Sequence, residues 1–152
     1  MSIFKLDMSL QTVKKAYEKE VVLLEDLCLC LEQERQCLIT GQIRDLWPLK
    51  DKKEQIYKEI KTQQEIIQRN LEGTEGSLGK GGPGELEPLR KKIRRLSLEI
   101  GTRNSENMRI VRDALDFIDG LIGVIASSES EAGAYGKDNQ VSSHPRILYK
   151  EA

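Results

Sequence analysis

The side chains able to act as nucleophiles, bases or metal ligands are few: Cys28, Cys30, Cys37, the one histidine His144, and carboxylates scattered among 25 acidic residues. A thiolate metal site or redox pair needs cysteines spaced to meet at one point, and Cys-x-x-Cys is the usual sign. None occurs here. Cys28 and Cys30 flank Leu29, which on a helix turns them about 200° apart, so the thiols read as small apolar packing residues. His144 precedes Pro145 in a polar tail with nothing to position it. No carboxylate pairs with a cysteine, serine or histidine in a constellation suited to acid–base or nucleophilic work. The expectation is no enzyme, no metal site and no cofactor.

Two further runs invite a chemical reading. From Glu72 to Gly84 the chain has six glycines and one proline. A phosphate loop would need a preceding strand and a Gly-Lys-Ser/Thr ending, so this run reads as a linker. Arg90, Lys91, Lys92, Arg94 and Arg95 surround Leu89, Ile93 and Leu96 without an interleaved aromatic to stack on a base, which suits a solvated helix face. With 24 basic against 25 acidic residues the net charge is −1, so no global field draws the chain to nucleic acid or anionic lipid. Recognition is left to shape and apolar contact.

The elements that must carry such recognition are long helices, in keeping with a charged fraction of 32% and only 5% aromatic residues. Helix one is capped by Asp7 or Ser9 and stops at Gly41, with a stripe of Leu10, Val13, Tyr17, Leu24, Leu27, Cys28, Leu31 and Leu38. Helix two tolerates Pro48 only within its first turn and carries Leu46, Leu49, Ile56, Tyr57, Ile60, Ile67 and Leu71. In helix three, Leu89, Ile93, Leu96, Ile100, Asn104, Asn107, Val111, Ala114, Leu115, Ile118, Leu121, Ile122 and Ile125 share a face of about 120°, read as packed on other helices. The amides Asn104 and Asn107 interrupt it. Amides in a seam cost stability and fix register, or else they meet a partner directly.

The expected fold is therefore all-α: an antiparallel three-helix bundle or coiled coil of long helices, running up-down-up, with a flexible C-terminal tail. The bundle is placed at 1–126, with helices at about 9–40, 43–71 and 86–126 and the Gly-rich linker at 72–84. The tail, 127–152, has too little apolar surface to offset its ordering entropy. No N-terminal stretch has the order of a signal peptide. The longest apolar-rich run, Val21 to Leu31, contains Glu25 and Asp26 and falls short of the ~20 residues of a membrane span. A cytoplasmic protein without membrane insertion is expected.

Three long helices, a glycine linker and this tail resemble the FlgN family of flagellar type III export chaperones. In helix one the likeness rests on Leu24, Leu27, Leu31, Glu32, Glu34, Arg35 and Leu38, with the Glu-x-x-Ala/Cys-Leu ending, and in helix two on Lys52, Lys53 and Glu54. More specific are Asn104 and Asn107, similar to the family's Asn-x-x-Asn pair. Tyr135 to Ser142 is similar to its Tyr-Gly-x-x-Gly-x-x-Ser tail, and Ile147 to Ala152 to its Leu-Asp-x-Lys-Ala ending. Asn139 stands where the second tail glycine would be, and asparagine also tolerates positive φ. The linker is richer in glycine than an interhelical turn requires.

The resemblance implies a protein that binds the C-terminal helices of hook-filament junction (hook-associated) proteins in the cytosol, prevents their premature assembly and delivers them to the export gate. No cofactor is implied. The competing class is a structural coiled-coil adaptor or scaffold, which would seal its stripes and need no tail.

Residue by residue, two surfaces stand out. Val22 and Leu29 lie roughly opposite the helix-one stripe, so helix one is apolar almost all round. They form a self-association surface for a homodimer, a client surface, or a face wrapped by the other helices. At 1.5 Å per residue the third helix outruns the other two, so one end should overhang past the Gly41 turn. That excess carries Phe117, Ile118, Leu121, Ile122 and Ile125 as the expected client site, unless the first two helices shift to cover it or it frays at Gly120 and Gly123.

Tyr135, between glycines and alanine, has little to pack on and is expected to dock to the cytoplasmic part of the export gate. Tyr135→Ala should reduce gate association and motility while fold and client binding persist. Normal motility in cells carrying only this variant would count against that role.

Overall fold

The computed structural model describes the backbone of residues 3–72 and 84–133 and the side chains of 8–72 and 84–129. Its long elements are α1 (Ile3–Thr40), α2 (Leu46–Glu72) and α3 (Glu87–Gly133), of 38, 27 and 47 residues. Their lengths are about 57, 40 and 70 Å. The all-α expectation is borne out, with three long packed helices. The linker at 73–83, Tyr135, His144 and the rest of the tail lie outside the described residues. The chain divides into two compact units, Met1–Met108 and Arg109–Ala152.

In the first unit, the polar contacts set helix directions. Glu20 pairs with Gln64 and Glu34 with Lys53, so α1 and α2 are antiparallel. Tyr17 meets Arg90, Glu32 meets Arg103 and Arg35 meets Glu106, so α3 rises alongside α1. The named contacts all run through α1. Its burial is accordingly two-sided: Ala16, Val21, Cys30 and Cys37 are buried along with Val13, Tyr17, Leu24, Leu27 and Leu31. Two clusters result. Leu24, Leu27, Cys30 and Leu31 pack with Ile56, Ile60 and Leu96 in one, and Val13, Ala16 and Tyr17 pack with Ile67 and Leu86 in the other.

Local chemistry explains the ends. Gly41 takes a φ of 74°, which a side chain would strain, and the Gln42 N–H reaches back to the Cys37 carbonyl at 2.9 Å in a Schellman closure. A short 3-10 turn, Ile43–Asp45, follows, and Pro48 falls in the first turn of α2, where its missing N–H has no intrahelical partner to lose. A second 3-10 turn, Gly84–Leu86, leads into α3 and buries Leu86 at its entry. Two ends differ from the sequence expectation. The first helix starts at Ile3, leaving Asp7 and Ser9 inside it, because no breaker precedes them. The third continues to Gly133, through serines that lower helix propensity without ending a helix.

Glu20 is 4% exposed, and its carboxylate accepts a hydrogen bond from Gln64 Nε2 at 3.1 Å. Burial pushes its pKa up, and the Gln64 bond offsets only part of that. The protonated form is thus favoured in the folded state. Stability from this group is full below the unfolded carboxylate value and is lost as pH rises through the folded one. Glu20→Gln keeps an oxygen for Gln64 and removes the buried charge. It should raise the melting temperature at neutral pH, with the gain shrinking in acid. A lower melting temperature at neutral pH would contradict this.

Candidate functional site

α3 has two stretches of unlike surroundings. In the first unit Leu96 is buried, and Leu89, Ile93 and Ile100 are half-buried. Asn107, only 2% exposed, ends this stretch. Its Nδ2 donates to the Leu31 carbonyl at 2.9 Å and to Glu34 Oε1 at 3.0 Å, while the other Glu34 oxygen accepts from Lys53 Nζ. One half-buried carboxylate of α1 thereby holds a side chain from each other helix. An aspartate at 107 would set acceptor against acceptor there, whereas the amide supplies both hydrogens. Asn107 Oδ1 is buried without a partner.

Asn104 does not join this node. It is exposed, although the helical wheel puts it on the same face. The structure brings together only the second amide of the pair.

In the second unit Ile110 and Val111 are half-buried and the rest of the apolar face is open. Phe117 is 67% exposed, Ile118 50%, Leu121 46%, Ile122 37% and Ile125 57%. Ala114 and Leu115 are exposed as well, so the expectation of one face packed along its whole length is corrected beyond Val111. Periodicity reports that a face is apolar and cannot report where its neighbours stop. Val124, absent from the sequence reading, adds 65% exposed surface; it lies off the stripe and needs a second seam to be seen. The charges of this stretch are exposed: Arg112, Asp113 and Asp119 flank the apolar arc, and Arg109 and Asp116 lie on the opposite side. Burying a side chain such as Leu or Ile is worth ~1.5–3 kcal/mol. Here a row of them stays in water.

A family model described as FlgN protein matches residues 8–143. The chain belongs to the FlgN family. The family resemblance is thus borne out over residues 8–143. By family, a FlgN protein is a flagellar export chaperone for hook-associated proteins and not an enzyme. No curated protein and no solved structure matches.

The remaining sequence candidates of this FlgN chain fall as follows. Val22 is 58% and Leu29 63% exposed, so α2 and α3 do not wrap them. Val22 lines an open groove between α1 and α2 with Lys15, Lys19, Leu23, Glu59 and Thr62. Tyr57, placed on the helix-two stripe, is 47% exposed. The basic run is partly engaged within the molecule. Arg90 donates to the Tyr17 hydroxyl and lies over its ring, Lys92 pairs with Glu25, and Arg94 with Glu87.

The three cysteines are free, and burial pushes the Cys28 and Cys30 thiols up, away from the reactive thiolate. Among the described residues no group of histidine, cysteine and carboxylate side chains is placed to hold a metal ion. No described helix is long and apolar enough to cross a membrane.

Proposed function

We propose that this FlgN protein works in the cytosol by laying the C-terminal helical segments of hook-associated proteins along the exposed face of α3. Phe117, Ile118, Leu121, Ile122 and Ile125 are the contact residues. The observation that carries the reading is the opening of an apolar face that is packed up to Asn107 and uncovered from Leu115 to Ile125. Client ends that assemble as coiled coils bear apolar seams of their own. Covering one such seam with another is the helix-in-groove mode, and it keeps the client from assembling early. Asn107 is the register residue, since sliding α3 by a turn would break both of its hydrogen bonds. Tyr135 is the docking residue for the export gate, to which the client is delivered.

A purely structural adaptor would cover this face, and its exposure supports the chaperone reading instead. Val22, which lines a groove, and Leu29, likewise exposed, are a further surface for a second copy or for more of the client.

Ile118→Asp combined with Leu121→Asp should weaken capture of a hook-associated protein by two orders of magnitude or more, because each lost contact of ~1.5–3 kcal/mol is about tenfold or greater. Helical signal and melting temperature should change little, since both residues are already in water. A large loss of stability would make them core, and undiminished capture would move the client site elsewhere.

A further inference from the structure

The exposed arc of α3 is wider than one partner helix can cover. Leu115, Ile118, Ile122 and Ile125 follow one another at intervals of 3, 4 and 3 residues, the spacing of a coiled-coil seam. Ala114, Phe117, Leu121 and Val124 repeat the same intervals one position earlier. Both sets are exposed. At about 100° per residue their centres lie about 100° apart, and together they span about 180° of the helix. A single seam occupies roughly 100°. Had the surface evolved for one helix, polar residues would stand at 117 and 124, where Phe117 and Val124 are instead among the most exposed apolar side chains.

Resting on the reading of this face as the client site, we propose that α3 holds two amphipathic helices of one client molecule side by side, one in each seam. The charges at the two edges sort the occupants. Arg112 and then Asp119 border the first seam on its outer side, and Asp113 borders the second. A helix in the second seam therefore needs a basic residue facing Asp113, and one in the first needs an acidic residue at Arg112 and a basic one at Asp119. A second copy of this chain does not meet the requirement, because two α3 helices paired about a twofold axis touch along one line and leave the other seam in water.

The photoreactive residue p-benzoylphenylalanine, placed at position 117 or at position 122 of the full-length chain, reads the two seams separately. After irradiation with a full-length hook-associated protein, position 117 should attach to one client helix and position 122 to a different one. Phe117→Asp and Ile122→Asp should each lower client affinity tenfold or more with helical content retained. Attachment of both positions to the same client helix overturns the two-helix arrangement and leaves the client site standing. So does attachment of position 117 to a second copy. Failure of one position alone to capture client overturns the two-helix arrangement, and failure of both overturns the client site itself and the arrangement with it.

Discussion

The contact on which the arrangement turns is the one at Glu34. Apolar seams bring helices together but discriminate weakly between positions along their length, because Leu, Ile and Cys side chains repeat every turn. Glu34 is more demanding: one oxygen takes Lys53 from α2 and the other takes Asn107 from α3, while Asn107 also binds the Leu31 carbonyl. Removing one member strands buried polar atoms at about 1–3 kcal/mol each, more for the charged one. In the register seen, Asn107 and not Asn104 satisfies the set. In that register Asn107 is the last buried residue among those described in α3, and the apolar positions after Val111 are exposed up to Ile125.

This placement also accounts for the economy of the rest. The surface ion pairs, such as Arg35 with Glu106 and Lys92 with Glu25, are largely in water and contribute little each. What holds the first unit is burial on both sides of α1, which packs against α2 and α3 at once. The exposed stretch of α3 has no such support. Its helical form rests on propensity, which Gly120 and Gly123 weaken. Added side chains at these glycines would meet nothing. If the face binds client as proposed, its place in the less stable part of the molecule lets it adapt to its partner.

Much of this was legible in the residues. Helix periodicity, Gly41 after Thr40 and Pro48 near a helix start are local signals, and the structure follows them. The burial of Ala16, Cys30 and Cys37 was not, since a wheel centred on Val13, Tyr17 and Leu24 describes a helix with one neighbour and α1 has two. Nor could the wheel separate Asn104 from Asn107, whose difference lies in the Leu31 carbonyl and Glu34 carboxylate opposite. The exposure of Phe117 and Ile118 followed from comparing helix lengths, a relation between elements. That Leu115 is open and Val124 forms part of a second seam required knowing where the neighbouring helices end.

Amide hydrogen exchange along α3, with and without a hook-associated protein, measures the central claim most directly. In the free protein, amides from Leu89 to Asn107 should exchange slowly and those from Leu115 to Ile125 fast, and client should slow the second group while leaving the first unchanged. Equal protection of both groups in the free protein, or client protection confined to other parts of the chain, would contradict the account.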